Sequence, residues 1–168
     1  INKNNLFKDQ SPYLQQHKGN PVNWQVWSKD ILDKAKEKKI PILLSIGYSS
    51  CHWCHVMAHE SFEDKETANL MNKYFINIKV DREERPDIDY IFQSSYQLFN
   101  QSGGGWPLTI FLDENAIPFM AGTYFPKEPS HGLPSFKEVI LKVGETYKQQ
   151  REEIIKESSI ISKSLELR

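Results

Sequence analysis

The chain has 168 residues, of which 39% are hydrophobic and 12% aromatic, and its formal net charge is −1. That is enough for one domain with a real core plus an arm or tail, and the composition is that of a folded chain. The near-neutral charge supplies no nucleic-acid surface and no polybasic membrane patch, and no apolar run approaches the roughly 20 residues of a spanning helix.

Residues 1–27 show little periodicity. Ser11-Pro12-Tyr13-Leu14 and Asn20-Pro21-Val22-Asn23-Trp24 read as turns studded with aromatics. Exposing Trp24 and Trp27 is costly, so an ordered arm packed on the domain is expected. Ser28 is a candidate N-cap for a helix with Ile31, Leu32 and Ala35 on one face, stopped by Pro41. Ile42-Leu43-Leu44-Ser45-Ile46 has the pattern of a strand buried on both faces. After the turn Gly47–Ser50, Cys51 opens a helix expected to run to about Glu60. A second helix starts near Ser61 or Asp64, a pair with capping-box spacing, and ends near Asn72.

Tyr74–Val80 reads as the next strand, followed by the charged loop Asp81–Arg85 and a helix with Pro86 in its first turn. Gly103-Gly104-Gly105 interrupts the chain before a strand at Leu108–Leu112, a turn at Asp113–Asn115 and a hairpin partner at Ile117–Ala121. Ser135 and Glu138 form another capping box ahead of a helix with Phe136, Val139, Ile140, Val143 and Tyr147 on one face. The stretch 151–168, with Ile154, Ile155, Ile161 and Leu165, reads as a helical extension leading out of the domain. The order β-α-β-α-β-β-α after the first helix implies an α/β fold, a mixed sheet with helices on both faces.

The two cysteines, Cys51 and Cys54, stand three positions apart and do not read as a structural cross-link. A Cys-x-x-Cys after a buried strand and at a helix start has a chemical meaning. The free N–H groups and partial positive charge of the helix end stabilise a thiolate. Cys51 is then the attacking thiol, and Cys54, one turn on, resolves the mixed disulfide. No bound cofactor is expected. The expected partner is a protein or small-molecule thiol or disulfide, with neither nucleic acid nor membrane.

Strand, Cys-x-x-Cys, helix, strand, helix, proline, hairpin and helix is an order that looks like thioredoxin, and Pro107 stands where that fold places a cis-proline loop facing the dithiol. The resemblance implies a cis Trp106–Pro107 bond and a loop that presents backbone to a substrate strand. A closer likeness lies in Ser11-Pro12-Tyr13-Leu14, Asn20-Pro21-Val22, Ser45–Ser49, Cys51–Met57, Lys79–Asp87, Gly104–Thr109 and Ala121–Pro126. Together these resemble the N-terminal thioredoxin-like domain of the spermatogenesis-associated protein 20 family. In that family a large helical domain resembling sugar epimerases follows. The expected organisation is an arm at 1–27, a thioredoxin-like domain at 28–150 and an extension at 151–168, which the resemblance points toward a missing C-terminal helical partner domain. The resemblance speaks to the fold more than to the substrate; the dithiol itself makes a thiol–disulfide oxidoreductase the expected function, with a non-catalytic docking or redox-sensing module, or a Cys/His metal site, as the alternative.

Thioredoxin keeps a buried carboxylate six positions before its first cysteine; here that position is Ser45, which supplies no comparable base. The inserted His52-Trp53 and the following His55 are expected to tune the dithiol. An imidazolium at His52 would favour the Cys51 thiolate and make the disulfide more oxidising. Arg82 is a candidate for holding a thiolate or an acidic group, although a solvated face is the favoured reading of Asp81–Arg85. Cys51-His52-Trp53-Cys54-His55 also satisfies the c-type haem pattern, but a helix packed on a sheet leaves no haem pocket. Cys51, His52, His55 and His59 form an alternative metal site by helical spacing. The opening residues Ile1–Asn5 are polar and do not form a signal peptide. Because the sequence begins on Ile1, an upstream export signal stays open, and the expected location is cytoplasmic.

Overall fold

The computed structural model describes residues 2–166. Ile1, Leu167 and Arg168 of the arm and tail lie outside the described residues, as does the side chain of Leu165. Two short turns open the chain, a 3-10 turn at Leu6–Lys8 and helix α1 at Pro12–Gln15. Ser11 caps α1 by accepting the Leu14 N–H, and Pro12 fits the first turn, where no N–H partner is needed.

The sequence reading gave only turns up to residue 27, but Trp24–Val26 forms a strand, β1. Three residues between turn signals carry too little alternation to be read as a strand. Pairing with a neighbour creates it. Next come α2 (Lys29–Lys38, capped by Ser28), β2 (Ile42–Gly47) and α3 (His52–Met57). The helix expected to reach Glu60 changes to a π-helical turn at Ala58–Phe62. Asp64, not Ser61, caps α4 (Lys65–Tyr74), accepting from both the N–H and the hydroxyl of Thr67. Ser61 is buried within the π-turn. Tyr74 closes α4 instead of opening β3, which spans Ile76–Asp81.

Helix α5 (Pro86–Asn100), the hairpin β4 (Leu108–Leu112) and β5 (Pro118–Gly122), and α6 (Phe136–Glu166) complete the chain. Ser135 caps α6 by accepting the Glu138 N–H at 3.2 Å. Helix α6 breaks at Gln150 (φ −128°, ψ 35°). Beyond the break, Arg151 donates to Glu114 and Ser158 to Asp113, tying the second half to the β4–β5 turn.

The sheet order is β1-β3-β2-β4-β5, with β1, β3 and β2 parallel and the β4–β5 hairpin antiparallel. Helices cover both faces, as the thioredoxin fold requires. One face carries Ile42, Leu44, Ile46, Ile76, Ile78, Val80, Leu108, Ile110 and Leu112 against Ile31 and Ala35 of α2 and Ile88 and Phe92 of α5. The other packs Trp24, Leu43 and Phe111 against the arm, α3, the π-turn, α4 and α6. Strand alternation sends every second residue to each face, so Ser45, Gly47, Lys79 and Thr109 lie on this second side. Ser45, Lys79 and Thr109 are at most 1% exposed, so one face of the sheet is dry hydrocarbon and the other carries a buried polar row.

Candidate functional site

Cys51 is the N-cap of α3, at the C-terminal end of β2. Its Sγ accepts the backbone N–H of Cys54 at 3.2 Å. This is one of the free donors of a helix start, aimed at the sulfur that sequence reading makes the nucleophile. Cys51 and Cys54 form a disulfide with Cα atoms 5.3 Å apart. Both are buried, Cys54 to 1% exposure. Between them, Trp53 is 52% exposed, a costly display for so large an apolar surface. Its ring lies 5.0 Å from that of Tyr124 and 5.2 Å from that of His52.

The three histidines do different things. His52 is exposed and meets the edge of Trp53. His55 Nε2 lies 2.5 Å from the Ser49 carbonyl; a carbonyl only accepts, so Nε2 donates and ties α3 to the turn before it. His59 pairs with Glu63 at 3.3 Å on the surface. The alternative metal site at Cys51, His52, His55 and His59 does not assemble: among the described residues no group of three or more His, Cys, Asp or Glu side chains is arranged to hold a metal ion. Helical spacing put them on one face, but Cys51 is committed to Cys54 and each imidazole turns to a separate neighbour.

The Trp106–Pro107 peptide is cis. Helix α5 holds the loop around it: the Trp106 indole donates to Asp89 Oδ1 at 2.9 Å and Gln93 Nε2 donates to the Gly105 carbonyl at 2.9 Å. Arg82 lies with its guanidinium 4.3 Å from the Trp106 ring and 3.4 Å from Asp89 Oδ2. The solvated-face reading of Asp81–Arg85 therefore holds only for Glu83–Arg85. Asp81 is buried, accepting from the Ser11 hydroxyl at 2.7 Å, and Arg82 is stacked on the loop. The charge run looked uniform in sequence, but β3 extends into its first residue and takes Asp81 inside.

A cleft of about 730 Å³ opens beside the dithiol helix, lined by Trp53, Trp106, Tyr124, Glu60, Lys127 and the Gly103–Gly105 loop. Tyr124 donates to Glu60 across it, and burial with that carboxylate pushes the Tyr124 phenol up to about 12.

Beneath α3, Ser45 is fully buried and accepts from Lys79 Nζ at 2.9 Å. Lys79 is 1% exposed, and its ammonium lies 4.5–5.2 Å from the ring centroids of Phe62, Trp24 and Tyr13. Desolvation pushes it down to about 7. His17, 2% exposed, is pushed down to about 2 by burial, with Lys79 and His55 adding to the effect. Sequence reading missed Lys79, Tyr13, Asp81 and Asp89. The signal available was polar alternation in Asn77, Lys79 and Asp81, which by itself reads as a solvent face.

The sequence family Thioredox_DsbH, described as "Protein of unknown function, DUF255", matches residues 3–166. Spermatogenesis-associated protein 20 of Homo sapiens is 43% identical over 162 residues, which are 96% of this chain and 20% of that protein. An uncharacterized protein of Caenorhabditis elegans is 44% identical over 161 residues, 92% of this chain and 22% of that one. The chain thus spans about a fifth of the length of the curated relatives it matches. Among solved structures, a DsbH oxidoreductase superposes with a TM-score of 0.54 at 18% identity, covering 76% of this chain and 85% of that one. A thioredoxin from Thermus thermophilus gives 0.52 at 16% identity, covering 73% and 87%. At those identities the two structures establish the thioredoxin fold alone.

Proposed function

The chain belongs to the Thioredox_DsbH (DUF255) family, and from that premise we propose that it is a thiol–disulfide oxidoreductase domain. The observation that carries the reading is Cys51 capping α3, its Sγ on the Cys54 N–H, beside a cleft shared by Trp53 and the cis-Pro107 loop.

Cys51, as thiolate, attacks a substrate disulfide, forming a mixed disulfide and releasing one substrate thiolate. Cys54 then attacks Cys51 Sγ, closing the Cys51–Cys54 bond and releasing the second thiol. The reverse sequence oxidises a dithiol substrate. The cleft suits an extended segment of a cysteine-bearing protein, with an apolar side chain against Trp53, Trp106 and Tyr124. His52 and Trp53 are the surface tuning residues, His55 fixes the turn, and Trp106 and Pro107 form the substrate-facing loop.

The curated relatives are about five times as long, which supports a further part of the proposal, that this domain is one portion of a longer protein; the helical, sugar-epimerase-like partner domain in it is what the family resemblance adds. Among the described residues no helix is long and apolar enough to cross a membrane.

The test is reduction of insulin by dithiothreitol. Wild-type protein accelerates precipitation over the thiol blank, and Cys51→Ser abolishes the acceleration. Wild-type activity equal to the blank would leave a docking or redox-sensing module.

A further inference from the structure

Ser45 stands where thioredoxin keeps a carboxylate, and a hydroxyl from the N-terminal arm lies beside Cys54. Tyr13 comes from the N-terminal arm, is fully buried, and its hydroxyl has no hydrogen-bond partner among the described residues. An unpaired buried hydroxyl is costly, and a phenylalanine would fill the same space without that cost. The hydroxyl sits beside one reactive atom. A methyl group built on Gly47 would overlap both the Tyr13 hydroxyl and Cys54 Sγ, so the two flank the bare Cα of Gly47. Gly47 is the residue that lets them approach.

We propose that the Tyr13 hydroxyl is the hydrogen-bond donor to the Cys54 thiolate, idle in the disulfide and engaged when that bond is broken or about to form. The proposal rests on the thiol-exchange reading and adds a catalytic residue to it. In the mixed disulfide Cys51–S–S–R, Cys54 sheds its thiol proton and attacks Cys51 Sγ. The Cys51–Cys54 bond forms, the Cys51–S–R bond breaks, and the electron pair leaves on the R thiolate, which takes up the proton. Both cysteines are oxidised and the substrate disulfide is reduced. Throughout, the phenol keeps its proton and lowers the energy of the anion on Cys54.

The groups facing Tyr13 favour this role. Burial, with Asp81 adding to it, holds the phenol well above its ordinary range, so it stays protonated and acts as a donor, never as a base. The Lys79 ammonium lies 5.2 Å from the Tyr13 ring centroid, and a cation there strengthens the phenol as a donor. His17 meets the ring edge with centroids 4.9 Å apart and is held neutral by burial. The arm is therefore part of the site, since it carries a buried, unpartnered hydroxyl beside the resolving sulfur.

The experiment uses the reduced chain and one equivalent of Ellman's reagent. Attack by Cys51 releases a first thionitrobenzoate, and attack by Cys54 on the mixed disulfide releases the second. In Tyr13→Phe the second phase is expected to slow about tenfold at pH 7, in line with loss of a hydrogen bond to a charged group. Its pH profile moves to higher pH, while the first phase is unchanged. 3-Fluorotyrosine at position 13 keeps the hydroxyl as a stronger donor and is expected to speed the second phase, which covers a Phe variant that does not fold. An unchanged second phase, or equal slowing of both phases, would overturn the proposal. A wild-type first phase no faster than that of glutathione fails the exchange reading separately, and the second-phase comparison still decides Tyr13.

Discussion

The two faces of the sheet are built from the same strands and do different work. On the α2/α5 side, Ile42, Leu44, Ile46, Ile76, Ile78 and Val80 bury hydrocarbon against hydrocarbon. On the α3/α4 side the alternate residues of β2 and β3 include Ser45, Gly47, Lys79 and Asp81, all buried under the dithiol. The first face supplies stability at low risk. The second accepts buried polar groups, a bare glycine and an unpaired hydroxyl at the place where chemistry is proposed. Both faces bury a hydrocarbon cluster, but the dithiol and the buried polar residues of β2 and β3 are separated onto one side of the sheet.

That separation can be broken from either side. The largest expected effect is on the apolar face: Ile78→Ala costs about 3 kcal/mol of stability by urea unfolding, as cavity-forming core substitutions do. It leaves both Ellman phases unchanged at temperatures where the variant is folded. A changed second phase would show that the faces are coupled. Gly47→Ala on the polar face costs about 2 kcal/mol by overpacking and shifts the Cys51–Cys54 equilibrium with glutathione, because its methyl displaces Tyr13 or Cys54 Sγ.

Lys79→Met tests the buried charge. Lys79 is pushed down to about 7 from 10.5, so between those values the unfolded chain binds more protons than the folded one. Wild-type stability therefore rises with pH across that window, by at most about 1.4 kcal/mol per pH unit. The methionine variant loses the rise and is more stable at pH 7. His17 gives the acid limb. Its folded value of about 2 against 6.5 unfolded makes stability fall as pH drops below 6.5, and His17→Asn flattens that limb. A variant with an unaltered profile would show that burial does not govern that group. The smallest effect is expected at His52, exposed at the rim: His52→Ala slows Cys51 alkylation at pH 7 by about two- to threefold, a weak tuning because exposed groups act through water and salt, and an unchanged rate would remove His52 from the tuning set.

The dithiol, its helix and the proline loop were legible because each has a local signature. Cys-x-x-Cys after a β-branched and leucine-rich run, Pro107 after three glycines, and capping residues at Ser28 and Ser135 all act over a few residues. The charge run misled at Asp81 and Arg82, and Lys79 drew no notice, because the number of helices covering a face is not written into the strand that lies beneath them. Spacing likewise put three histidines and Cys51 together, although each side chain has a nearer partner.

By itself the sequence determined the order of elements from α2 onward, the chemical identity of the dithiol, the absence of a carboxylate at Ser45 and the family blocks from Ser11 to Pro126. Those properties depend on residue type and short spacing, which the chain carries directly. Only the tertiary structure decided that β1 joins β3, that Lys79 is enclosed by Tyr13, Trp24 and Phe62, that Asp89 holds Trp106, and that the Tyr13 hydroxyl and Cys54 Sγ both crowd the bare Cα of Gly47. Each joins segments tens of residues apart, and long-range packing alone fixes whether a polar side chain meets water, a ring or a sulfur.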